Sequence, residues 1–134
     1  MQIDPIQPTG WAKPKGYSNG VLVTGSTRTL HVAGQIAWDA EAKLVGQGEF
    51  PVQFTQALRN VVVVVEAAGG KADQLVSMTV YVTDKQAYLA ALPGVGEAWR
   101  SIIGRHYPAM ALVEVADLLE DGAMVEIAAV AALP

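Results

Sequence analysis

The stretch Tyr107–Ala131, YPAMALVEVADLLEDGAMVEIAAVA, decides how the chain is read. Ala111, Leu112, Val113 and Val115 form one apolar run of strand type, and Met124, Val125, Ile127 and Val130 form a second. Glu120-Asp121-Gly122 between them is a turn signal, so the two runs predict an antiparallel hairpin. Glu114 and Glu126 interrupt the apolar pattern. A carboxylate inside such a strand must face water or be held by specific partners, because burying an unpaired charge is costly. A site can be built on these strands.

Upstream, Tyr17–Thr24 and Thr29–Ala37 are two β-rich runs around Gly25-Ser26-Thr27-Arg28, which predicts a second hairpin. Residues 1–16 hold Pro5, Pro8 and Pro14 with little periodicity and predict an extended, irregular arm. Trp38 to Leu44 leaves the sheet as a loop. Pro51 sits where a first helical turn tolerates proline, and Phe54, Leu58, Val61, Val65 and Ala68 follow at helical spacing up to a Gly69-Gly70 stop. The run Val61–Val65 favours a strand on propensity, the weaker signal. Leu75–Val82 predicts another strand, with Asp84 as the N-cap of the next element. Tyr88, Leu89, Leu92, Val95, Trp99, Ile102 and Ile103 form a second helical stripe, which Pro93-Gly94 must break into two short pieces. The order ββαβαββ predicts an α+β fold with two helices packed on one face of a mainly antiparallel sheet, and residues 1–134 are expected to form a single domain.

Several of these stretches, taken together and in order, resemble the RidA (YjgF) reactive-intermediate deaminase family. They are Pro108-Ala109-Met110-Ala111-Leu112-Val113-Glu114-Val115 with Val125-Glu126-Ile127, Gly16-Tyr17-Ser18-Asn19-Gly20, Val32-Ala33-Gly34-Gln35-Ile36, Gln56 with Asn60, and Glu66-Ala67-Ala68-Gly69-Gly70. No single motif is specific, but the ordered set is. The resemblance implies the chorismate-mutase-like version of the layout. It also implies a homotrimer with small-molecule sites in the clefts between subunits. One departure stands out: where the family's deaminases carry an arginine directly after the Pro-Ala pair, this sequence has Met110. A second is Pro93, where they carry an asparagine near the pocket.

Composition narrows the function. Apolar residues make up 51% and charged residues 16% of the 134, against about 45–50% and about 25% in typical soluble domains. Such an excess favours burial between subunits. A net charge of -4 argues against a grip on phosphate backbones, which needs clustered Lys and Arg, so no nucleic-acid partner is expected. With no cysteine, disulfides, thiolate catalysis and Cys-ligated metal are excluded. The N-terminus has no basic-then-apolar leader, and no stretch reaches the roughly 18 apolar residues of a membrane span. A cytoplasmic protein without membrane contact is the expectation. His31 and His106 are too few and too scattered for a metal site, and no Gly-rich phosphate loop or nucleophile elbow is present, so neither metal nor cofactor is expected.

The chemistry then rests on few residues. Alternation places Glu126 on the opposite strand face from Val125 and Ile127, as a solvent-facing carboxylate or a site residue. The resemblance matches it to the glutamate that holds the attacking water or relays a proton, work suited to a partly buried glutamate near neutral pH. Glu114 shares the local pattern but corresponds to a structural residue. Tyr17 is a core tyrosine on general grounds, whereas the resemblance carries it into the pocket as a donor to substrate or water. Gly34 is a bulge or packing point and, by resemblance, a source of backbone groups beside the ligand. Met110 offers only a polarisable apolar wall where an arginine fork would hold a 2-imino acid carboxylate. Trp38 and Leu112 are candidates to line the same cleft with Met110. Arg28, Arg59, Arg100 and Arg105 are the available replacement cations if a neighbouring subunit brings one into the cleft, although a surface charge is the commoner reading of each.

Overall fold

The computed structural model describes residues 1–134. Its elements, in chain order, are β1 (Gln2–Ile6), β2 (Gly20–Thr24), β3 (Arg28–Gln35), α1 (Phe50–Ala67), β4 (Leu75–Val82), α2 (Lys85–Ala90), α3 (Leu92–Ile102), β5 (Ala109–Glu114) and β6 (Val125–Leu133). Helix α1 forms because its apolar spacing outweighs the strand propensity of five valines: Phe54, Ala57, Leu58, Val61 and Val65 are all buried, whereas Val63 is exposed. It ends where Gly69 takes a positive φ of 82° and Gly70 N–H returns to the Val65 carbonyl at 2.9 Å, a left-handed stop that glycine adopts without steric cost. Asp84 caps α2 by accepting from the N–H groups of Gln86 and Ala87. The helical stripe breaks at Ala91, and Pro93 sits in the first turn of α3, where its missing N–H is not needed.

The four-stranded sheet has the order β3-β6-β4-β5, and β1 pairs with β2 in a separate two-stranded sheet. This corrects both expected hairpins. The two strands of Tyr107–Ala131 exist, but β4 lies between them: β5 runs parallel to β4, with Met78 opposite Met110, and β6 runs antiparallel to it, with Tyr81 opposite Glu126. The N-terminal arm is not irregular; its residues 2–6 pair antiparallel with β2, Pro5 opposite Val21. β2 therefore does not fold back on β3, which instead joins β6. An edge strand has one side free of ladder bonds, which is why Pro5 is tolerated in β1.

Along β6, Val125, Ile127, Ala129 and Ala131 are buried under α1, while Glu126, Ala128 and Val130 point to the other face of the sheet. The same alternation buries Met78, Val80 and Val82 of β4. Register carries the faces across to β5: Met110 and Leu112 share the helix side with Met78 and Val80, whereas Ala111 and Val113 share the open side with Thr79 and Tyr81. The buried Gln53 ties loops to this framework. Its amide donates to the Gly46 and Gly122 carbonyls at 3.2 and 2.9 Å, and its carbonyl accepts from Met124 N–H at 2.8 Å, just ahead of β6.

Candidate functional site

Two of the expected site residues meet on the open face of the sheet. The β3–β6 register slips between Val32 and Gln35, and this bulge brings the Gly34 backbone against the Glu126 side chain. A Cβ at Gly34 would stand 2.8 Å from Glu126 Cδ and 2.9 Å from Cγ. Only glycine lets the carboxylate lie there, so the reading of Gly34 as a bulge and tight packing point holds. The chain's one salt bridge joins Lys43 and Glu41, which leaves the Glu126 carboxylate without a cationic partner.

Three others meet on the helix side. Tyr17 precedes β2 rather than beginning it. It is positioned by Ser18, which forms an isolated parallel bridge with Ala109, donates N–H to the Pro108 carbonyl at 2.9 Å and donates its hydroxyl to the Tyr107 carbonyl. That strap lays Tyr17 beside the start of β5, where it lines a cavity of about 340 Å³ with Met110 and Leu112. The cavity floor is apolar, formed by Phe54, Val80 and Val95, and Trp99 stacks on Tyr107 with ring centroids 6.1 Å apart and planes 6° apart. Trp99 is fixed by its indole N–H, which donates to the His106 carbonyl at 3.0 Å. Tyr88 also lines the cavity, and burial pushes its phenol above the ordinary tyrosine value, so it is a neutral O–H group at physiological pH.

Trp38 is not among the residues lining this cavity. It starts the loop after β3, bridging Leu44, and its carbonyl accepts from Asn60 of α1 at 2.8 Å. Glu114 has a structural task, accepting from the Lys85 N–H at the start of α2 at 2.9 Å. Of the four arginines, Arg100 reaches the cavity, whereas Arg28 is occupied by the carbonyls of Pro134 and Ala68. Sequence reading counted Arg100 among four candidate cations without singling it out, and missed Lys15, Tyr88 and Tyr107. A glycine four residues before Arg100, on the same helix face, was the available signal. Tyr17 thus lines the cavity with Met110 and Leu112, whereas Glu126 points to the other face of the sheet.

The chain matches the Endoribonuclease L-PSP family model over residues 11–133. It belongs to this family, the RidA/YjgF family. Among relatives, the chain is 33% identical to a RutC family protein of Synechocystis across 100% of this chain and 99% of that one. It is 32% identical to human 2-iminobutanoate/2-iminopropanoate deaminase, covering 86% of this chain and 78% of the human one. Among solved structures, the Rid-family protein YyfB of Yersinia pestis superposes with a TM-score of 0.87 at 31% identity, covering 99% and 100% of the two chains. The YjgF gene product of E. coli gives 0.65 at 30% identity over 87% of each. The α+β architecture is therefore the RidA-family, chorismate-mutase-like fold. No helix of this RidA-family chain is long and apolar enough to cross a membrane, and no cluster of three or more His, Asp or Glu is arranged to hold a metal ion.

Proposed function

We propose that the protein is a homotrimeric hydrolase of small imines, enamines or related reactive metabolites, with sites where the Tyr17–Met110–Leu112 cavity of one copy faces the Gly34–Glu126 surface of the next. One observation carries this reading: the two halves of the site lie on opposite faces of one sheet, so a second copy is needed to complete it. The open face offers Thr79, Ala128 and Val130 with the exposed Val113, small and apolar enough for another subunit to cover. The human relative named as a 2-iminobutanoate/2-iminopropanoate deaminase supports the reaction class.

In that cleft Glu126 takes a proton from water as its oxygen bonds to the imine carbon. The C=N π pair moves to nitrogen, which takes that proton back from Glu126 to give the carbinolamine. Glu126 then removes the carbinolamine hydroxyl proton and passes it to the amine as the carbonyl forms, the C–N bond breaks and ammonia leaves. Tyr17 orients the substrate through its phenol. Because Met110 cannot pair with a carboxylate at its position, 2-iminobutanoate and 2-iminopropanoate themselves are poor substrates. A second reading, ligand binding without turnover, is favoured by that same Met110, which packs against the core rather than presenting a charge.

Light scattering after size exclusion should give about three times the 14.1 kDa chain mass, and a monomer would remove the shared cleft. Imines generated in situ should be hydrolysed by the wild type and at least ~100-fold more slowly by Glu126→Gln. A trimer that hydrolyses no imine and is indifferent to Glu126→Gln would leave the binding reading in place.

A further inference from the structure

Arg100 and Gly96 sit four residues apart on α3 and line the same cavity as Met110. A Cβ at Gly96 would stand 3.2 Å from Arg100 Nη1 and 3.9 Å from Cζ, so the guanidinium lies folded across the bare face of that glycine. Glycine inside a helix weakens it, and here its lack of a side chain gives the guanidinium its seat. The cavity walls hold two cations, Lys15 and Arg100, and no carboxylate, in a chain where 13 acids face 9 bases. Arg100 has no salt-bridge partner within the chain. The Trp99–Tyr107 stack and Met110 line the same cavity.

We infer that Arg100, seated over Gly96, is the specificity-determining anchor of this cavity, and that the cavity takes a carboxylic acid carrying an aryl or similarly bulky apolar body. This deepens the functional reading above and rests on it, since it assigns the ligand class of the same cleft. The guanidinium fork fits a carboxylate bidentately, which fixes direction as well as charge. A cavity of about 340 Å³ is at the small end of ligand pockets, which run from roughly 300 Å³ upward. Parallel aromatic rings and a thioether favour a flat apolar body over a methyl or ethyl group. The charge is thus held from the α3 wall, while β5, which carries Met110, contributes apolar contact.

Calorimetry on the full-length protein tests this with three probes: phenylpyruvate, its uncharged counterpart phenylacetone, and pyruvate. Wild type should bind phenylpyruvate roughly ten- to hundredfold more tightly than phenylacetone, the range expected of hydrogen bonds to a charged group, and more tightly than pyruvate. Arg100→Gln should erase the preference over phenylacetone, and Arg100→Lys should keep part of it, as a point charge without the fork. Gly96→Ala, which favours the helix but crowds the guanidinium, should weaken phenylpyruvate alone. The inference is overturned if wild type binds none of the probes, if phenylacetone binds equally well, if Arg100→Gln keeps the preference, or if that variant changes the oligomeric mass instead. Imine turnover and its dependence on Glu126 are measured in parallel. Turnover that persists while Arg100 has no effect on binding sinks this inference alone, and Arg100-dependent binding without turnover sinks the hydrolase reading alone.

Discussion

Gly34→Ala tests whether the glycine holds Glu126 in place. The added Cβ would fall 2.8 Å from Glu126 Cδ, 2.9 Å from Cγ and 3.1 Å from Oε2. Carbon–carbon contact is favourable from about 3.5 Å, so the shortfall is roughly 0.7 Å. The side chain that must give way is the end of a flexible glutamate, which can rotate on the open face while the backbone stays. Leaving a rotamer well costs about 0.5–1.5 kcal/mol, and overpacking about 1–3 kcal/mol. A stability loss of about 1–2 kcal/mol is therefore expected from urea unfolding. Activity should fall further, because about 1 Å of misplacement can cost about 100-fold in rate.

A double-mutant cycle separates this from a general packing defect. Glu126→Ala removes Cγ and Cδ, the atoms the new methyl meets, so Gly34→Ala should cost almost nothing in stability in that background. In the same way, adding Gly34→Ala to Glu126→Gln should lower turnover little beyond Glu126→Gln alone. If Gly34→Ala destabilises both backgrounds equally, the clash is with the bulge rather than with the carboxylate, and Gly34 does not position Glu126.

Three further outcomes are expected of the same structure. Gln53→Leu, close in volume, should destabilise by at least about 3 kcal/mol in urea, since it leaves the Gly46 and Gly122 carbonyls and the Met124 N–H without partners at about 1–3 kcal/mol per buried group; a loss under 1 kcal/mol would mean that water replaces the side chain. An ultraviolet titration of phenolate should show one tyrosine ionising above the ordinary value of about 10, because burial raises Tyr88, and Tyr88→Phe should remove that step. The unfolded chain then loses this proton first, so the contribution is present below about pH 10 and is lost as pH rises through the higher folded value. Met110→Arg should gain 2-iminobutanoate hydrolysis measurable in an assay coupled to a dehydratase, and a folded, trimeric variant with no gain would show that the rest of the cleft has diverged too.

Local patterns in the sequence translated directly into structure. The alternation of Val125, Glu126 and Ile127 assigned Glu126 to the outer face, and Phe54, Leu58, Val61 and Val65 fixed the buried side of α1, because both periods are properties of a few consecutive residues. Strand partners were not legible. Nothing in Tyr107–Ala131 announces that β4 will insert between its two strands, since that pairing is made with residues 32 to 56 positions earlier in the chain. Pro5 and Pro8 suppressed the reading of β1, although an edge strand accepts proline. At the site, the pairing of Gly34 with Glu126 depends on a bulge, and the seat of Arg100 depends on a glycine one helical turn away. Each is a contact that neither partner's local sequence announces.

The position of the cation bears on the substrate. An arginine at position 110 would project from β5 on the side of Met78, its register partner in β4, whereas Arg100 approaches from α3 and lies over Gly96. A carboxylate held from the helix wall is rotated relative to one held from the strand. In the proposed cleft the reacting carbon would then sit differently against the Glu126 of the neighbouring copy, and a longer or bulkier body would be needed to span the same gap. Met110 becomes a fitting residue in that arrangement, because an apolar wall accommodates the body and a third cation beside Lys15 and Arg100 would raise the repulsion among them. On the proposed anchoring, the apolar residue at position 110 and the cation at position 100 serve one and the same ligand orientation. Adding Arg100→Gln to Met110→Arg should accordingly increase hydrolysis of the small imino acids over Met110→Arg alone, by removing the competing anchor.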